Sequence, residues 1–117
     1  MNNEPAIKDD PMYRLIRDGQ IEVFNKEKRA GKKYDLTGCD FRGISLRGLD
    51  TEGLDLRNCY LRQADLRGLD LRSANLEGAS IHGARISGVY FPGPLRPEEI
   101  ELSLLHGTRL RYLGGSA

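Results

Sequence analysis

The chain has no tryptophan, two cysteines, 7% aromatic residues and a net charge of only +1 over 117 residues. Each scarcity excludes something. Two cysteines do not make a disulfide framework. A charge this close to zero gives no global bias toward nucleic acid or anionic membranes, which draw domains with a clear basic excess. No run approaches the ~20 consecutive apolar residues of a membrane span. The start, MNNEPAIKDD, is polar and acidic where a signal peptide is basic and then apolar. The cytoplasm is therefore the expected location. The length is that of one domain, and 38% hydrophobic with 30% charged residues suits a soluble body with a modest core.

Two helices are predicted before residue 34. Asp10 followed by Pro11 is a start signal, and Met12, Leu15 and Ile16 then share one face before Gly19 offers a stop. A second periodic run, Ile21, Val23 and Phe24, continues to Ala30 and Gly31. Lys26, Lys28 and Arg29 stand near its end, where cations meet the negative end of the helix dipole. The basic run from Lys26 to Lys33 reads as a solvated helix end, with a nucleic-acid patch as the alternative.

From Tyr34 to Gly93 the pattern is different: YDLTG, CDFRG, ISLRG, LDTEG, LDLRN, CYLRQ, ADLRG, LDLRS, ANLEG, ASIHG, ARISG, VYFPG. The period of five belongs to neither a helix nor a strand, so the repeat must be the architecture. The central positions are all apolar except Thr51, and the first positions carry no charge. Positions two and four are mostly charged or polar, and the fifth is glycine in nine blocks of twelve. Two inward residues flanking an outward one describe a short extended side, and the small fifth residue permits a sharp corner.

These blocks resemble the pentapeptide-repeat family, specifically a short bacterial member, over about half of the chain. The resemblance implies an all-β solenoid, a right-handed quadrilateral β-helix in which four blocks make one coil and twelve make about three. A leucine-rich repeat also fits LDLRNCYL, but such repeats are asymmetric within 20–29 residues, whereas every block here keeps the rule of five. Coils stacked at ~4.8 Å expose sticky ends, so caps are expected. Short α-helices should cap both ends. The predicted segments are an N-terminal helical cap (1–33), the β-helix (34–93), and a C-terminal helix, short strand and flexible tail (94–117).

Residues twenty apart should stack. Cys39 then lies over Cys59, with Ala79 beneath. The spacing permits a disulfide, but parallel side chains suit its torsions badly, and two buried free thiols are expected. No third ligand shares the inward positions, so no metal is predicted. The wide end of the coil should receive Leu15, Ile16 and Phe24. Thr51 needs a backbone partner for its hydroxyl.

After the repeats, Pro97, Glu98 and Glu99 open a helix that Gly107 ends, TRLRY alternates like a strand, and LGGSA reads as a mobile tail. A strand there invites pairing across a two-fold axis, and the resemblance makes C-terminal dimerisation common. Leu105, Arg109, Leu110 and Tyr112 are the candidate dimer contacts.

Sorted by side, the outward charges are uneven. Sides two and three carry Arg42, Arg62, Arg47, Arg67 and Arg85 against Asp40 and Asp65, or +3. Sides four and one carry Asp50, Asp70, Glu52, Asp35, Asp55 and Glu77 against Arg72 and Arg57, or −4. Either these are solvated faces with local pairs such as Glu52 with Arg72 and Asp65 with Arg85, or the five arginines receive an acidic partner. His82, outward on a column, and His106, at a helix end, have no nucleophile, paired carboxylate or phosphate loop beside them. The expectation is a non-enzymatic interaction or scaffold module, without cofactor, for a protein partner. The resemblance also brings DNA mimicry toward type II topoisomerases as an alternative, although three coils and a half-basic surface depart from long acidic rods. Nucleic-acid binding through the arginine faces is the third reading.

Overall fold

The computed structural model of the chain describes residues 6–114. Three helices form: α1 (Pro11–Arg17), α2 (Ile21–Arg29) and α3 (Pro97–His106). Local chemistry sets their ends. Asp10 accepts a hydrogen bond from the Met12 amide through its side chain, and Pro11 opens α1 without wasting a donor. Gly107 closes α3 in the left-handed region at φ 74°.

Between α2 and α3 the chain turns every five residues. Eleven turns, from Leu36–Cys39 to Ile86–Val89, are closed by the amide of a block's first residue donating to the central carbonyl of the block before. The fifth residue of each block sits at the third position of such a turn, usually with positive φ, which explains the glycines. Asn58 and Gln63 adopt the same conformation, at φ 62° and 57°.

Parallel bridges join residues twenty apart: Asp40 with Tyr60, Ser45 with Asp65, Asp55 with Asn75, Tyr60 with Ser80, Asp65 with Arg85, and Asp70 with Tyr90. The expected stacking period is therefore present. The expected strands are not. Among the described residues every pairing is an isolated bridge, because each side is interrupted by a turn before a second reciprocal pair can form.

The central residues Leu36, Phe41, Leu46, Leu56, Leu61, Leu66, Leu71, Leu76 and Ile81 are buried in one apolar cluster, together with Met12, Tyr13, Ile16 and Phe24 from the first two helices. The predicted docking of Ile16 and Phe24 holds, while Leu15 is only half-buried. Tyr13 packs edge-on to Phe41 at 5.3 Å between ring centroids and donates 2.7 Å to the Asp40 carbonyl. Thr51 finds the partner its burial requires, donating to the Asp70 carbonyl. Cys39 and Cys59 are both buried and unpaired with each other; Cys59 donates to the Leu36 carbonyl. Burial pushes each thiol up to about 12.

A stack of bridges leaves unpaired backbone groups at both ends. At the N-terminal end, Ala6 exchanges bonds with Gly38 and Asp40, the Asp10 carboxylate accepts from the Asp35 amide, and Asn25 donates to the Gly48 carbonyl while accepting from the Asp50 amide. At the other end Leu110 exchanges bonds with Gly78 and Ala79, Ser103 Oγ accepts from the Ile81 amide, the Leu104 carbonyl accepts from Gly83, and the Tyr112 hydroxyl accepts from Leu76.

This corrects the expectation for TRLRY. Residues 108–112 form no strand; Leu110 is buried against its own coil, exchanging backbone bonds with Gly78 and Ala79. Of the predicted tail LGGSA, Leu113 and Gly114 form a turn and 115–117 lie outside the described residues.

Candidate partner-binding face

The outward charges organise themselves within blocks. In four blocks with aspartate at position two and arginine at position four, the carboxylate accepts from the arginine amide and from its guanidinium through two parallel bonds. The pairs are Asp40 with Arg42, Asp55 with Arg57, Asp65 with Arg67, and Asp70 with Arg72, closing at 2.7–2.8 Å between Nη2 and Oδ2. The turn carries positions two and four onto one outward face, where the planar guanidinium forks the carboxylate. These bonds draw Asp65 and Asp70 down to about 2 and lower Asp40 and Asp55 as well. The predicted pairs Glu52 with Arg72 and Asp65 with Arg85 are replaced: Arg72 and Asp65 are each taken by a neighbour two residues away.

Of the five arginines on sides two and three, Arg42 and Arg67 are thus clamped. Arg47, Arg62 and Arg85 make no ion pair among the described residues, and all three are exposed. Arg62 lies in the turn Leu61–Ala64, Arg47 in the turn Leu46–Leu49 of the next column, and Arg85 beyond the clamped Asp65 in the column of Ser45. The Gly43 amide donates to the Arg62 carbonyl, and Ser45, Asp65 and Arg85 follow one another through parallel bridges. Arg47 lies close enough to Asp65 to favour its ionised form.

The flanking segments alter the charge distribution in ways that block counting misses. Lys8 pairs with Asp35 at 3.2 Å and Lys28 with Asp50 at 3.2 Å, which reduces the −4 of the acidic sides to −2. Meanwhile Arg17 donates to the Asp40 carbonyl at the N-terminal edge of side two, and Arg109 stacks over the Tyr60 ring at 5.1 Å while donating to its hydroxyl. The basic half gains and the acidic half loses. No local signal marks these partners, which lie up to 49 residues apart.

His82 is not outward as predicted. It is half-buried below Gly107, and its Nδ1 has no hydrogen-bond partner among the described residues. Of the candidate dimer contacts, Leu105 is 57% exposed, Leu110 is buried, Arg109 is engaged with Tyr60 and Gly78, and Tyr112 caps the Leu76 amide.

On side four, where no bridge joins Asp50 to Asp70, a shallow cavity of about 510 Å³ opens between the first two coils, lined by Asp50, Thr51, Glu52 and Asp70 among others. Its acids are largely spoken for, Asp50 by Lys28 and Asp70 by Arg72. Among the described residues no helix is long and apolar enough to cross a membrane.

The pentapeptide-repeat family matches residues 35–63 and 55–91, in eight copies. Such repeats imply a β-helical solenoid in general, are generally non-enzymatic, and suggest an interaction or scaffold role. No curated protein and no solved structure gives a match. With its five-residue turns, its apolar central row and its twenty-residue pairing, the chain belongs to the pentapeptide-repeat family.

Proposed function

We propose that the chain is a non-enzymatic protein-interaction or scaffold module of the cytoplasm, built as a right-handed four-sided β-helix of about three coils over 34–93. In this reading 1–33 is its N-terminal cap, and 94–117 closes the other end. The observation that carries the reading is the locking of the outward side chains. Four bidentate clamps hold arginines and aspartates on short, turn-limited sides, so the charged faces are set before a partner arrives. A preformed surface loses less conformational entropy on binding, which favours recognition. The caps support it too, because covering both edges discourages open-ended stacking and leaves the side faces for specific contacts.

Affinity capture with the tagged protein from its source cells tests this. A saturable partner at fixed stoichiometry is expected, and recovery of none overturns the reading. Self-association through α3 is a second reading, favoured by Leu102 and Leu105, which are 38% and 57% exposed. Light scattering showing a monomer at every concentration removes it. The topoisomerase-mimic alternative loses ground because Lys8 and Lys28 dilute the acidic sides; it predicts inhibition in a gyrase supercoiling assay.

A further inference from the structure

On side three the last two coils are joined by three backbone bonds. The Arg85 amide donates to the Ala64 carbonyl, and the Leu66 and Gly68 amides donate to the Arg85 and Ser87 carbonyls, each at 2.9 Å. Beyond the last coil the chain must supply such partners from elsewhere. On side two it does so: Ala79 accepts from Leu110, the Ile81 amide donates to Ser103 Oγ, and the Gly83 amide donates to the Leu104 carbonyl. On side three it does not. The Ala84 carbonyl and the Ile86 and Gly88 amides have no hydrogen-bond partner among the described residues. The edge runs on to side four through the Phe91 amide, unpaired in the same sense, but there the coil above makes only two of the three bonds.

The side chains along this edge add a chemistry. Ile86 follows Leu66 in the inward column and is only half-buried, as are Phe91 beside it and Ile100 and Leu104 of α3. Arg85 is exposed and makes no ion pair among the described residues; the residue before it in its outward column is Asp65.

We infer that the edge from Ala84 to Gly88 docks an extended segment of a partner protein, added as one further side of the stack, and that this segment carries an acidic residue followed by an aliphatic one. The inference rests on the interaction-module reading and names the chemistry of its partner. An unpaired edge of this kind is a template for strand addition. With the segment parallel to 84–88, the acidic residue donates its amide to Ala84 and accepts from Ile86, as Arg85 does toward Ala64 and Leu66. Its carboxylate then lies beside Arg85, where an opposite charge is favourable. The next side chain turns inward over Ile86, because successive residues of an extended chain face opposite ways. The carbonyl one residue further accepts from Gly88.

A second copy fits less well. Ser103, Leu104 and Leu110 occupy sides one and two of this end, which obstructs another whole coil, whereas a single strand needs only side three. The matching edge of a second copy would also set Ser45 against Arg85, with no charge to complement it.

The test is an NMR titration of the isotope-labelled full chain with a capped hexapeptide that has an Asp-Leu-Ser core. The Ile86 and Gly88 amides should shift and exchange with solvent more slowly, while Leu66 and Gly68, already paired, stay fixed. Lysine in place of the peptide's aspartate should weaken binding by about threefold or more. N-methylation of that aspartate, which removes the donor to Ala84, should abolish it. Arg85→Glu should reverse the preference between the two peptides, whereas Arg14→Glu, an equal change of charge in α1, should not. If Arg85→Glu fails to fold, the N-methylated peptide carries the test on the native chain.

No shift at Ile86 and Gly88, undiminished binding of the N-methylated peptide, or a preference for aspartate that survives Arg85→Glu would each overturn the inference. Shifts at the same amides when the protein alone is concentrated would assign the edge to a second copy and overturn it as well. A cellular partner captured at fixed stoichiometry that leaves the Ile86 and Gly88 amides exchanging freely overturns this site alone. Recovery of no partner overturns the module itself.

Discussion

Ser103→Ala separates two opposed effects and so tests whether α3 stabilises the chain by sealing the last coil. Judged from the helix alone, the change is favourable, since alanine gains about 0.5 kcal/mol over serine in a helix interior. Judged from the structure it is unfavourable. Ser103 is fully buried, and its hydroxyl accepts from the Ile81 amide at 3.0 Å, a backbone donor on the C-terminal edge with no other acceptor among the described residues. Stranding a buried donor costs about 1–3 kcal/mol. The balance is a loss of about 0.5–2.5 kcal/mol, or roughly 2–10 °C in melting temperature at about 4 °C per kcal/mol for a domain of this size. Urea unfolding followed by circular dichroism reads the sign directly, with Leu105→Ala as the control, because an exposed side chain of the same helix should change stability by less than about 0.5 kcal/mol. Ser103→Ala as stable as the native protein, or more so, would refute the claim that helix-borne polar groups satisfy the coil's edge.

Three other outcomes follow from the structure. Cys39 and Cys59, buried and raised to about 12, should be inert to a thiol reagent at mildly alkaline pH and react only on unfolding; rapid native labelling contradicts their placement. Asp65 and Asp70 ionise near 2 when folded against a usual 3.8, so their stabilising contribution is complete above the usual value and declines as the pH falls toward 2. NMR titration of their carboxyl carbons checks this, and midpoints near 4 mean the clamps do not persist in solution. Gly78→Ala should destabilise by more than Gly38→Ala. Both positions have positive φ and pay about 1–2 kcal/mol for left-handed backbone, but only at Gly78 does the new Cβ fall 2.0 Å from Asn58 Oδ1. Equal melting temperatures would rule out that clash.

How much could be read in advance depended on the range of the interactions involved. The helix boundaries at Asp10–Pro11 and at Gly107, the turn at every fifth residue and the stacking of Cys39 on Cys59 were all legible. Capping and positive φ act within a few residues, and a register unbroken for twelve blocks determines who stacks on whom. The clamps were written in the sequence as aspartate and arginine two apart, but stacked neighbours at strand spacing compete for the same charges. Only the geometry of the turn shows that the shorter connection prevails. That choice is what leaves Arg47 and Arg62 open. The docking of Ile16 and Phe24 was legible, but the specific contacts of the flanks were not: Tyr13 beneath Asp40, Lys8 and Lys28 on the acidic sides, and Leu110 sealing its own coil. Those contacts join residues 22 to 49 positions apart or lie across the coil's ends, and no local periodicity selects them. The sequence by itself determined the repeat and its register, because both follow from short-range sterics and the burial of one apolar row. Tertiary structure alone decided which charges remain unpaired and which edges are closed, because both depend on where segments distant in the chain come to rest.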